Sequence, residues 1–134
     1  MEARDNQSPF IEAWGTGNAS REFLYVDDCA EGVVRAAARY NEGEPVNIGT
    51  GSEIKISELL QLIARLTRFE GEIRWQHDKP DGQPRRRLDV SRALDKFGFQ
   101  AQVTLEEGLR RTIDWYEAQV AGETKLAASQ SKEA

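Results

Sequence analysis

With 134 residues, 39% of them apolar and 31% charged, the chain holds enough material for one domain and too little for two ordinary ones. No run approaches the roughly 18 apolar residues of a membrane helix. Residues 1–8 carry neither a basic nor an apolar signal region, and the single cysteine, Cys29, excludes an internal disulfide and fits a reducing, cytoplasmic compartment. A formal net charge of −5 argues against nucleic acid as a partner, because phosphate neutralisation dominates that affinity.

Residues 10–14 and 22–26 are short β-prone runs joined by a Gly/Asn/Ser-rich stretch whose composition predicts a turn between strands. Asp28 is expected to cap the helix that follows, with Glu31 completing a capping box. Small or apolar residues at 30, 33, 34, 37 and 38 predict that this helix buries one stripe, and residues 41–43 predict its end. Residues 45–48 read as a short buried strand stopped by Gly49-Thr50-Gly51, and residues 54–56 as extended chain. Ser57 is placed to cap a second helix with Leu59, Ile63 and Leu66 on one face, and residues 72–75 form a further strand candidate. Residues 78–87 predict a polar loop holding two prolines and a glycine. Asp89 then caps a short helix that stops at Gly98. Thr104 and Glu107 make a capping box for a last helix with the stripe Leu105, Leu109, Ile113 and Tyr116. Residues 121–134 are small, polar and unpatterned, which predicts a disordered tail. Residues 1–8 are then a lead segment and residues 9–120 the working portion.

Strands alternating with helices predict an α/β fold. The strand at 45–48 is short and apolar, as strands inside a parallel sheet covered on both faces are, yet few strands here could flank it. It reads as part of a Rossmann-type parallel sheet whose remainder lies elsewhere.

Two glycine pairs resemble a dinucleotide fingerprint and fail it in context. Gly15-x-Gly17-x-x-Ser20 lacks the third glycine and precedes a strand rather than a helix, and Gly49-x-Gly51-x-x-Ile54 fails in the same way. Tyr25, Tyr40 and Tyr116 are followed four residues later by Cys29, Glu44 and Val120, so no tyrosine–lysine pair exists to supply an activated phenol. His77, the only histidine, rules out metal sites built on several imidazoles. His77 reads as a loop residue and Cys29 as a packing residue, although each has an acid/base or thiolate alternative.

What remains suits binding. Trp14 is either a core residue or a face on which a base or sugar lies. Arg21 is either half of a surface ion pair or a planar fork for diphosphate oxygens. Lys79-Pro80-Asp81-Gly82-x-Pro84-Arg85 places both signs of charge on a backbone restrained by proline, which lowers the ordering cost of presenting them to a ligand. Arg85, Arg86 and Arg87, with Lys79 just upstream, make this stretch basic in an acidic chain.

Together, Trp14-Gly15-x-Gly17, Arg21-Glu22-Phe23-Leu24-x-Val26-Asp27-Asp28, Asn47-Ile48-Gly49-Thr50-Gly51 and the Lys79–Arg85 loop with Leu88-Asp89 resemble the C-terminal part of the extended short-chain dehydrogenase/reductases, the NAD-dependent epimerase/dehydratase family. The loop points within it to the GDP-L-fucose synthase branch. The resemblance, over about residues 9–117, implies that Trp14, Arg21 and Asp81 contact a GDP-sugar, with Lys79 and Arg85 as further candidates. It implies a parent enzyme that epimerises and reduces GDP-4-keto-6-deoxy-mannose with NADPH, of which this chain is a fragment. The cofactor fold, the Ser-Tyr-Lys set and the Cys/His acid–base pair would precede it, so the chain alone is expected to bind no cofactor and to be inactive. Cys29 and His77 do not match that pair. A related 4-epimerase or 4,6-dehydratase, and a non-catalytic interaction module, remain the alternatives. An unpaired sheet edge predicts a homodimer or partial disorder for the chain on its own.

Overall fold

The computed structural model of the chain describes residues 1–130, and of residues 122–130 the backbone alone. Strands and helices alternate as expected for the α/β class: α1 (Glu2–Asp5), β1 (Phe10–Trp14), β2 (Ser20–Arg21), α2 (Val26–Arg39), β3 (Ile54–Lys55), α3 (Ile56–Thr67), β4 (Glu72–Gln76), β5 (Arg85–Arg86), α4 (Ser91–Phe97) and α5 (Leu105–Gln130). β1 and β4 pair in parallel, from Phe10 opposite Glu72 to Trp14 opposite Gln76. A second sheet has the order β3-β2-β5, with β2 antiparallel to β3 and parallel to β5. The N-terminal ends of the first pair are steadied by the Arg74 guanidinium, 3.9 Å from the centre of the Phe10 ring.

The core lies between α2 and α4. Ala93, Phe97 and Phe99 are almost fully buried, and Leu24, Ala36, Tyr40, Val46, Ile48 and Ala101 pack around them. Burial of each phenylalanine contributes about 1.5–3 kcal/mol. Gly32 allows α2 to approach this cluster, because a Cβ there would stand only 2.6 Å from Ile48 Cγ2 and 3.0 Å from the Phe99 ring.

The buried face of α2 is therefore not the expected one. Asp28 and Gly32 are its buried residues, while Ala30, Val33, Val34, Ala37 and Ala38 face outward. The periodicity was sound, but among the described residues no element covers that stripe. Asp28 is also not the N-cap, a position held by Tyr25. Its carboxylate lies within the first turn and accepts the backbone N–H groups of Gln102 (3.0 Å) and Val103 (2.8 Å), tying the segment before α5 to α2.

Residues 22–26 do not form the expected strand. Only Ser20 and Arg21 pair, since β3 and β5 each offer two residues, and helix begins at Val26. Residues 45–48 join no sheet among the described residues. Val46 and Ile48 instead pack on the Phe97/Phe99 cluster, having no strand beside them. Ser57 lies inside α3, whose N-cap is Lys55, because β3 passes into the helix without a turn. Similarly α4 starts at Ser91 after Val90, and Asp89 serves one step earlier by accepting the Ser91 N–H at 3.0 Å. Gly98 ends α4 in the left-handed conformation, as predicted, with φ 67°.

Thr104 Oγ1 accepts the N–H of Glu107 at 3.3 Å, one half of the expected capping box. The stripe of α5 is half-buried through Leu105, Leu109 and Ile113 and ends before Tyr116, which is exposed. α5 then continues to Gln130, past the boundary expected near residue 120. Gly122 costs a helix only about 1 kcal/mol, and the alanines, lysine and glutamate that follow are strong helix formers. The end of the expected tail, residues 131–134, lies outside the described residues. At the other terminus, the lead segment holds α1, and Arg4 there ion-pairs with Glu117 of α5 at 2.7 Å.

Candidate functional site

The ends of β1 and β4 meet at a turn with an unusual stabiliser. After Trp14 the chain reverses at Gly15, with φ 81°, a conformation that L side chains rarely adopt. The space a Cβ would need there is filled by the Asp81 carboxylate. That carboxylate accepts the Thr16 backbone N–H through Oδ1 and the Thr16 hydroxyl through Oδ2, each at 2.6 Å. The hydroxyl of Thr16 and its backbone N–H hold Asp81 below the usual carboxylate range, as charge-assisted hydrogen bonds to a carboxylate do. The Lys79–Arg85 loop is thereby clipped to the turn that follows Trp14.

Further along, the loop is held by Arg21. Its Nη1 donates to the carbonyls of Ser20 (2.6 Å) and Gln83 (2.8 Å), and the Ser20 N–H donates to the Pro84 carbonyl at 2.9 Å. The guanidinium thus stands over the loop backbone, with one nitrogen committed. Its Nε and Nη2 donate to no described group. Trp14 is 71% exposed and is not a core residue. Lys79 is exposed and faces only Asp78, at 3.4 Å. Asp81, Arg21 and the Trp14 turn are therefore brought together, with Lys79 on the same loop.

Arg85 is placed differently. Its guanidinium grips Glu53 through Nε at 2.7 Å and Nη2 at 2.6 Å, and Ser20 Oγ donates to the same carboxylate at 2.9 Å. Arg85 and Ser20 together hold Glu53 below its ordinary value. Arg85 consequently anchors the loop to the residue before β3.

Two residues that sequence reasoning did not single out organise this region. Glu22 is a knot: its carboxylate accepts the N–H groups of Thr50 (2.5 Å), Gly51 (2.9 Å) and Leu88 (2.8 Å). Partial burial pushes its carboxyl up, but the donors of Leu88, Gly51 and Thr50 outweigh that and hold it below its usual range. Glu22 so fixes both the 49–51 turn and the chain just after β5. Thr16 was equally silent, although a hydroxyl inside a Gly-Thr-Gly turn is a signal for a side-chain latch. One cleft borders Arg21 and another the end of the loop at Arg85. The first, of about 470 Å³, is lined by Arg21, Phe23, Glu53 and Gln102 among others; the second, of about 720 Å³, lies along Arg85–Arg87 and Gly51. Both fall within the range of small-ligand sites.

Neither glycine turn fits a dinucleotide. The amides of the 49–51 turn are taken by the Glu22 carboxylate, and the Gly15–Gly17 turn is taken by Asp81; neither opens a helix. Among the described residues no three His, Cys, Asp or Glu side chains cluster as metal ligands. Cys29 is exposed on the first turn of α2 and His77 sits in the loop after β4. No helix of the described residues is long and apolar enough to cross a membrane.

Comparison with known proteins gives this geometry a setting. Residues 2–49 match the model of the NAD dependent epimerase/dehydratase family. The chain is 44% identical over 115 residues to GDP-L-fucose synthase 1 of Arabidopsis thaliana, covering 86% of this chain and 35% of the plant protein. It is 39% identical over 112 residues to a putative UDP-glucose 4-epimerase of Methanocaldococcus jannaschii, covering 82% of this chain and 34% of that protein. Among solved structures it resembles RMD from Pseudomonas aeruginosa complexed with NADPH, with a TM-score of 0.77 and 28% identity over 87% of this chain and 40% of the other. The chain spans about a third of the length of the curated relatives it matches.

Proposed function

This chain belongs to the NAD dependent epimerase/dehydratase family, and we propose that within it residues 9–120 form the nucleotide-sugar grip of a GDP-L-fucose synthase-like epimerase–reductase. The observation that carries this reading is the Asp81–Thr16 latch, which seats the Lys79–Arg85 loop beside exposed Trp14 and half-committed Arg21. In this reading the Trp14 ring lies against the sugar or base, and Arg21 offers its free edge to diphosphate oxygens. Asp81 retains acceptor capacity for a ligand hydroxyl or base N–H, because a carboxylate has about four lone-pair sites. Lys79 adds long-range attraction for the anion, and Arg85 acts through Glu53 to set the loop's position.

The role of such a grip is orientation. Binding energy gathered at the nucleotide end fixes a distant reacting sugar, where it lowers the barrier rather than merely tightening the complex. The cofactor of that reaction, NADP in this reading, is held by protein outside these residues, since both glycine turns here are filled by the chain's own carboxylates. The chain alone is therefore inactive in this reading. Incubation of the pure chain with GDP-4-keto-6-deoxy-mannose and NADPH is expected to consume no NADPH; steady oxidation would contradict the assignment.

A second reading, a UDP-sugar 4-epimerase grip, is favoured by the 39% identity to the Methanocaldococcus protein. Binding titrations with GDP-, UDP- and dTDP-sugars separate the two. Preference for GDP-sugars supports the first reading, preference for UDP-sugars the second, and binding of none of them a non-catalytic interaction module.

A further inference from the structure

We infer that Trp75 is a positioning residue of the grip: its indole beds the Gly15–Gly17 turn and, through that turn, sets where Thr16 holds Asp81; the inference rests on the nucleotide-sugar reading above. Trp75 stands opposite Ala13 in the parallel register of β1 and β4, one residue before the end of the pair. Successive side chains on a strand point to opposite faces. Trp75 therefore lies on the face of Ala13, away from Trp14, and a ligand resting on the Trp14 ring does not touch it.

The turn gives up two side-chain positions, and a residue from elsewhere fills each. Gly15 and Gly17 both have positive φ, 81° and 73°. The Asp81 carboxylate occupies the Cβ space of Gly15. A Cβ on Gly17 would stand 2.5 Å from Trp75 Cη2 and 2.8 Å from Cζ2, with Ser57 Cβ at 2.9 Å. The edge of the indole's six-membered ring is thus pressed against the turn backbone. The ends of the turn are pinned as well: the Gly15 N–H donates to the Gln76 carbonyl and the Ser57 N–H to the Gly17 carbonyl, each at 3.0 Å. Thr16 lies between these pins and carries both donors of the Asp81 latch. Its position follows from what Gly17 rests on, which is the Trp75 ring and Ser57.

The bulk of Trp75 serves this turn rather than the centre of the molecule. The residue is half-buried and lies outside the Ala93–Phe97–Phe99 cluster. An indole makes a broad, rigid support with only two side-chain torsions to order.

The test is a double-mutant cycle on the full chain, read by calorimetric titration with GDP-L-fucose. Trp75→Ala is expected to weaken binding by on the order of tenfold, as loss of the Asp81 contact would. In an Asp81→Ala background the same substitution should cost less than about twofold, because the latch through which it acts is already gone. Trp75→Phe, which refills part of the space, should recover most of the affinity. Trp75→Leu provides the same cycle if Trp75→Ala does not fold. Amide exchange at Thr16 should accelerate by a larger factor than at Phe99, whose N–H is held by the Ala93 carbonyl in the core. Equal acceleration at both amides would reduce Trp75 to a stability role and overturn the inference. So would losses that simply add in the double variant, or an unchanged affinity in Trp75→Ala; these results leave the nucleotide-sugar reading standing. Failure of the parent chain to bind GDP-L-fucose would overturn both.

Discussion

Asp81 accepts two hydrogen bonds of 2.6 Å from Thr16, one from its backbone N–H and one from its hydroxyl, across 65 positions of sequence. This pair sets where the basic loop sits relative to Trp14. It also separates two roles that a single substitution would confuse. Asp81→Ala removes both the latch and a ligand acceptor, whereas Thr16→Val removes only half of the latch. Both variants should lower GDP-sugar affinity, Asp81→Ala by about tenfold or more and Thr16→Val by less. Amide hydrogen exchange over residues 78–84 should accelerate in both. Loss of affinity in Asp81→Ala with unchanged exchange would show direct contact without a latch.

Acid should loosen the site before it unfolds the core. Asp81, Glu22 and Glu53 all have folded-state values below their ordinary ones of 3.8, 4.5 and 4.5. A carboxylate depressed in this way contributes stability above its unfolded value, and that contribution is lost as pH falls through the folded value. Stability is thus expected to hold from neutrality down to about 4.5 and to decline below it. Denaturant unfolding at a series of pH values checks this, and Glu22→Gln should flatten the decline. A stability that rises on acidification would contradict the assigned bonds.

The exposed stripe of α2 and the cluster packed against its other face should respond oppositely to substitution. Val33 and Val34 are 54% and 63% exposed, so replacing either with threonine should change unfolding free energy by no more than about 0.5 kcal/mol. Phe99→Ala, by contrast, should cost about 3–5 kcal/mol because it empties the centre of the Ala93–Phe97 cluster. Urea unfolding of the three variants measures both effects. A large loss in the valine variants would mean that the stripe is buried within the chain after all.

The start of α5 offers a narrower test. Thr104 is its capping residue through a 3.3 Å bond to the Glu107 N–H. Thr104→Ala should destabilise by about 1 kcal/mol, and Thr104→Asn should not. Equal losses in both would show that the cap contributes nothing.

The sequence made the α/β class legible, along with β1, β4, the Gly98 stop and the Thr104 cap, because these depend on local chemistry and on periodicity. It failed where a carboxylate reached far along the chain. Asp28 reads as a cap by spacing, but tertiary folding places Gln102 and Val103 within its reach. Glu22 reads as part of a strand, but three distant N–H groups claim it. The α2 stripe was found correctly and assigned to the wrong environment, since periodicity says which side is apolar and not what covers it. For the candidate site, residue type and the family resemblance pointed to Trp14, Arg21, Asp81, Lys79 and Arg85, and the geometry brings Asp81, Arg21 and the Trp14 turn together. That Arg85 turns to Glu53 rather than to a ligand followed only from the tertiary structure, which brings two residues 32 positions apart together.

The most direct measurement is the affinity of the full chain for GDP-sugar against UDP-sugar, by calorimetric titration under one set of conditions. Binding of the GDP-sugar in preference to the UDP-sugar, weakened in Arg21→Gln and Asp81→Ala, is the predicted result. Preference for the UDP-sugar, or affinity indifferent to Arg21 and Asp81, would contradict it.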